Sequence, residues 1–140
     1  MNIFFVGSIR GGRAQLPDYQ AIVGALQRHG TVLPQYISDE ALSDYGETNL
    51  PATEILSREL DKLEKCDVVV ADVTTPSLGV GYLIARATVQ QKKVVALYRG
   101  TDALKLSAII KGDSHISVYT YQEKTDIDSV LDGALRSLTP

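Results

Sequence analysis

The 140-residue chain contains one cysteine and two histidines, and each scarcity excludes a class of protein. With only Cys66 present, no intramolecular disulfide can form and no cysteine-based metal set is available. Cys66 stands just before a hydrophobic strand, where a small buried thiol is the ordinary reading. His29 and His115 are isolated and lack ligand spacing, so no metal centre is expected. An excess of charge is missing too: the net charge is -3 and the pI about 5.3. Such a chain offers no basic stripe for a run of phosphates, which argues against a nucleic-acid polymer as partner. A single nucleotide stays compatible, because it needs only a few donors and one arginine. No apolar run approaches the roughly 18 residues of a membrane span, and the first strand follows Met1 with no charged leader. Neither a signal peptide nor a membrane partner is expected, and the protein is read as cytoplasmic.

What is present is ordinary for a globular domain: 44% hydrophobic and 22% charged residues, in a length that makes one domain with a real core. Runs rich in Val, Ile, Phe and Tyr mark strands at residues 2–6, 31–36, 67–72, 93–98 and 116–120. Segments with helical spacing lie between them, at 18–29, 51–65, 79–91, 103–111 and 125–138. Asp18, following Pro17, is placed to cap the first of these. Strict alternation of strand and helix predicts a flavodoxin-like, doubly wound five-stranded parallel sheet of order 2-1-3-4-5, in three α/β/α layers.

Two of the strands run into small, glycine-containing loops. Ile3-Phe4-Phe5-Val6 leads into Gly7-Ser8-Ile9-Arg10-Gly11-Gly12, and Val68-Val69-Val70-Ala71 leads into Asp72 through Gly81. Glycine lets backbone approach a ligand closely, and the N–H groups of a following helix start attract negative charge. Neither loop is a Walker or dinucleotide fingerprint. In the expected strand order the first and third strands are neighbours, so both loops meet at one crevice suited to a phosphate-bearing small molecule. Residues 38–49, SDEALSDYGETN, form the one long polar connection, either an acidic lid over that crevice or a solvated loop.

The segments GSIRGGR, DVVVADVTTPSLGVGY and LSAIIKG, in this order, resemble the 2′-deoxynucleoside 5′-phosphate N-hydrolases of the wider nucleoside 2-deoxyribosyltransferase family. The similarity runs from about Ile3 to Tyr121. It implies a flavodoxin-like fold and cleavage of the N-glycosidic bond of a nucleoside 5′-monophosphate, or transfer of deoxyribose between bases, without metal or organic cofactor. It also implies a homodimer in which Ser107 crosses to the neighbouring subunit's site. Carried over by position, Gly7, Ser8, Ile9, Arg10, Gly11 and Gly12 wrap the nucleotide, while Ser77 and Gly79 give hydroxyl and backbone donors to the phosphate. Hydroxyls, N–H groups and a guanidinium suit phosphate oxygens. A surface salt bridge for Arg10 and a helix N-cap for Ser77 are the plainer alternatives.

The reacting end departs from the family pattern. The resemblance places a nucleophilic glutamate directly after the tyrosine of GVGY, where this chain has Leu83, which can neither form a glycosyl ester nor stabilise an oxocarbenium ion by charge. A family aspartate falls at Glu59 and a tyrosine at Phe4. Asp72 and Glu59 are the candidate carboxylates for an alternative route in which one activates water, at a separation of roughly 6.5–9.5 Å. For Asp72 the plainer role is to organise its loop through backbone N–H bonds. Three functions stay open at this stage. They are an N-glycosidase, a nucleotide-binding sensor or sequestering protein without turnover, and a site for a different sugar phosphate with Leu83 and Phe4 lining its apolar end.

Overall fold

The computed structural model describes residues 1–9 and 12–138. Strands β1 (Asn2–Val6), β2 (Thr31–Val32), β3 (Val68–Asp72), β4 (Lys93–Arg99) and β5 (Ile116–Tyr121) pair in parallel in the order β2-β1-β3-β4-β5. The doubly wound, flavodoxin-like order read from the sequence is the order found. Helices α1 (Leu16–Leu26), α2 (Ala52–Lys65), α3 (Leu78–Val89), α4 (Ala108–Gly112) and α5 (Ile127–Arg136) connect the strands and follow the last. Among the described residues no helix is long and apolar enough to cross a membrane.

Period-two alternation distributes the sheet's side chains between two cores. Ile3, Phe5, Val68, Val70, Val95 and Leu97 face α1 and α5. Phe4, Val6, Val69, Ala71, Val94 and Ala96 face α2 and α3, with Ile110 of α4 packed against the same side. β3 is buried at every position and β1 at all but its first, as expected of central parallel strands covered on both faces. Each large apolar side chain so buried stabilises the fold by about 1.5–3 kcal/mol.

Three elements differ from the sequence reading, each for a local reason. The second strand, expected at 31–36, ends at Val32. Leu33 still donates its N–H to the Ile3 carbonyl, but Pro34 has no N–H with which to continue the ladder. The helix expected over 103–111 is two pieces, a 3₁₀ turn at Ala103–Lys105 and then α4. Asp102 Oδ1 accepts the Leu104 N–H, Leu106 is anchored in the interior, and Ser107 restarts the chain as the N-cap of α4. Asp18 does not cap α1, which begins two residues earlier at Leu16 with no side-chain cap. It lies buried in the first turn and pairs with Arg99 of β4, Nη1 to Oδ2 at 2.8 Å.

Candidate functional site

Parallel pairing sets Val6 of β1 beside Ala71 of β3, so the chains leaving both strands begin at one level of the sheet's carboxyl edge. A cleft of about 660 Å³ opens there, within the size range of small-molecule sites. Gly7 and Ile9 line it from the first loop; Ser77, Gly79 and Leu83 line it from the start of α3. The expected meeting of the two loops is thus observed as a shared wall. Gly7 is required sterically, because a Cβ there would stand 2.9 Å from Tyr19 Cζ and 3.0 Å from Ile37 Cδ1. Ser77 caps α3, its Oγ accepting the Val80 N–H at 3.3 Å, and its hydroxyl hydrogen remains available for another acceptor.

The other expected loop residues are placed differently. Ser8 is buried, and its carbonyl accepts a hydrogen bond from the Tyr19 hydroxyl at 3.2 Å. Gly12 holds a positive φ of 111° and does not line the cleft. Arg10 and Gly11 lie outside the described residues. Ser107 is exposed on the α4 turn, its Oγ accepting the Ile110 N–H at 3.5 Å, and does not reach the cleft of its own subunit.

Of the two candidate carboxylates, only Glu59 faces the cleft. Its Oε1 meets Lys62 Nζ at 2.7 Å and Arg58 Nη2 at 2.9 Å, while Oε2 has no bond among the described residues. Asp72 shares the sheet face of Val68 and Val70, is wholly buried, and does not line the cleft. Its oxygens accept from the Thr74 N–H at 3.0 Å and the Tyr121 hydroxyl at 2.9 Å. Burial pushes both the Asp72 carboxyl and the Tyr121 hydroxyl above their ordinary values. The structure therefore does not bring Asp72 and Glu59 together as a pair: the sheet separates them, because residues two apart on a strand point the same way. Leu83 lines the cleft, but Phe4 does not; it is buried in the core beneath Lys62, whose Nζ stands 5.2 Å from the ring centre.

Several lining residues escaped the sequence reading. Residues 38–49 contribute Leu42, Tyr45, Gly46 and Glu47 to the wall of the cleft. Arg58 fastens this stretch: Nη1 donates to Glu47 Oε1 at 2.8 Å, Nη2 pairs with Oε2, and the guanidinium lies 5.1 Å from the Tyr36 ring centre. Two acids and two bases, Glu47, Glu59, Arg58 and Lys62, thus form one charge-balanced cluster at one end of the cleft. Arg13 Nη2 adds bonds to the carbonyls of Ile37 and Asp39, at 2.6 and 2.9 Å. The spacing of Arg58, Glu59 and Lys62 on one helix was a usable signal; nothing local marked Glu47 as their partner.

Comparisons with known proteins fit this geometry. No protein-family model matches the chain. A 5-hydroxymethyl-dUMP N-hydrolase of Danio rerio is 40% identical over 141 residues, covering 99% of each chain. The Homo sapiens protein of that name is 39% identical over 93% of this chain and 76% of its own. The structure of Clostridium botulinum CMP N-glycosidase matches with a TM-score of 0.66 at 17% identity, over 96% of this chain and 100% of that one, which establishes the shared fold. Fold and cleft together define a flavodoxin-like α/β protein with a small-molecule crevice at the sheet's carboxyl edge. The chain belongs to the 2′-deoxynucleoside 5′-phosphate N-hydrolase family.

The Arg58 clasp makes a prediction about residues 38–49. The guanidinium holds the Glu47 carboxyl below the usual value of 4.5. The sign follows from the lowered value: the contribution is full above pH 4.5 and is lost as pH falls through the folded-state value. Its size is about 0.5–1 kcal/mol for a partly exposed pair. Amide protection over 38–49, taken relative to intrinsic exchange at each pH, should therefore fall on acidification below 4.5 in the native protein. In Arg58→Met it should be reduced already at neutral pH. Equal protection in both proteins at neutral pH would contradict the clasp.

Proposed function

We propose that the cleft binds a nucleoside 5′-monophosphate and that the protein is a cytoplasmic glycosidase-type enzyme, hydrolysing the N-glycosidic bond to free base and sugar 5-phosphate. The observation that carries this reading is the position of Glu59, a carboxylate with one oxygen unengaged among the described residues, in the same cleft as the Ser77–Gly79 turn. The phosphate would be held by the Ser77 hydroxyl and by N–H groups at the start of α3, with Gly7 and Ile9 of the first loop on the other side. Glu59 Oε2 would take a proton from water as the water oxygen bonds to the anomeric carbon. The C1′–N bond breaks as the C–O bond forms, its electron pair leaves with the base, and the proton taken by Glu59 returns through solvent to the base, restoring the carboxylate. Leu83 offers no charge at the position where the family resemblance puts the nucleophile, so this route depends on activated water and no glycosyl ester forms.

Relatives named as N-hydrolases at about 40% identity over the full chain support the enzyme class. One observation favours a second reading, nucleotide binding without turnover. Leu83 removes the nucleophile, and Glu59 Oε1 is already engaged by Arg58 and Lys62.

Chromatographic base release over a panel of nucleoside 5′-monophosphates, at high enzyme concentration, separates the readings. Hydrolysis predicts slow release that falls on the order of 10²-fold or more in Glu59→Gln and rises in Leu83→Glu. Ligand-induced stabilisation with no base release, in native protein and Glu59→Gln alike, would establish the silent binder instead.

We further propose that the active form is a homodimer. Leu104 and Ile109, 88% and 84% exposed, flank Ser107, and Leu78 at the start of α3 is 97% exposed beside the cleft. Covering these side chains with a second copy would remove apolar surface from water and bring Ser107 to the neighbouring cleft. Sedimentation of native protein should give a dimer, and Ile109→Asp a monomer with weakened nucleotide binding. A native monomer, or a monomeric Ile109→Asp variant with full affinity, would refute the shared site.

A further inference from the structure

Beneath the cleft, on the α1 and α5 side of the sheet, lies a buried polar chain that binds no part of the proposed ligand. Tyr121 of β5 donates to Asp72 Oδ2 at 2.9 Å and stands 3.5 Å from Asp18 Oδ2 of α1. Asp18 is held in turn by Arg99 Nη1 at 2.8 Å. Asp72, Asp18 and Tyr121 are each no more than 2% exposed, and a buried carboxylate is tolerated only where its acceptors are filled.

The chain ends on both cleft loops. Asp72 Oδ1 accepts the Thr74 N–H, the first turn of the segment leading to Ser77, and Thr74 Oγ1 accepts the Arg99 N–H at 2.9 Å. On the other side Tyr19, next to Asp18 on α1, donates to the Ser8 carbonyl at 3.2 Å. Three strands and one helix therefore meet at one hydrogen-bonded point directly under the residues that would grip a phosphate.

We propose that Asp72 and Tyr121 form a positioning pair that holds the β3–α3 turn, and with it Ser77 and Gly79, in the conformation that receives a phosphoryl group. This rests on the reading of the cleft as a nucleoside 5′-monophosphate site. The pair never touches the ligand; it sets the geometry of the phosphate end and leaves the sugar and base end unchanged. An unfilled Asp72 oxygen turns to the nearest remaining donors and takes the Thr74 turn with it.

Tyr121→Phe removes only the hydroxyl and keeps the ring packed, so it folds even where Asp72→Ala does not. Hydrogen exchange of the ligand-free protein should show residues 73–79 exchanging about tenfold faster in Tyr121→Phe, with the body of α3 unchanged. Titration with a nucleoside 5′-monophosphate and with its unphosphorylated nucleoside then gives the functional arm. Tyr121→Phe should weaken the phosphorylated ligand about tenfold and leave the nucleoside unaffected. A general structural role would weaken both ligands equally, and that result overturns the proposal, as does unchanged exchange over 73–79. Unchanged nucleotide affinity with base release lost in Asp72→Asn would make Asp72 catalytic and overturn it too. If native protein binds neither ligand, the functional reading of the cleft fails, and the exchange arm still decides whether the pair positions the turn.

Discussion

The parallel pairing of β1 with β3 is the constraint on which the rest depends. Their register, Ile3 beside Val68 through Val6 beside Ala71, makes two connections separated by more than 60 residues of chain start side by side. Both strands are buried on both faces, so a slip of one residue would turn every side chain to the wrong core. Register at the centre of the sheet therefore fixes the floor of the cleft. Gly7 continues that logic, since the space its missing side chain leaves is filled by Tyr19 and Ile37.

The same sheet decides which carboxylates can cooperate. Strand alternation sends Asp72 toward α1 and α5, where Tyr121 and Thr74 satisfy it. Glu59 rides on α2, above the opposite core, and faces the cleft among Arg58 and Lys62. Two acids that the strand order alone would bring to one edge thus lie on different sides, one in the buried core and one facing the open space. Leu83 leaves the wall opposite apolar. The one candidate carboxylate that faces this cleft, Glu59, is already paired with two cations.

What the sequence made legible were features with local causes. Continuous apolar runs disclosed the central strands, because only fully covered strands read that way, and glycine-bearing loops after the first and third strands disclosed the crevice. Pro34 could have shortened the second strand in advance, since its missing donor is visible in the sequence. The bond from Arg58 to Glu47 was not legible, because residues 38–49 read either as a lid or as a solvated loop until their distant partner is known. Nor was the role of Asp18: Pro17-Asp18 looks like a cap, and only Arg99, 81 positions on, shows why this carboxylate is buried.

The most direct test is a structure of the protein with a nucleoside 5′-monophosphate bound. The account predicts the phosphoryl oxygens within about 3 Å of the Ser77 hydroxyl and of N–H groups at the start of α3, with the first loop on their other side. A phosphoryl group pointing into solvent, or a nucleotide seated anywhere but between these two loops, would contradict it.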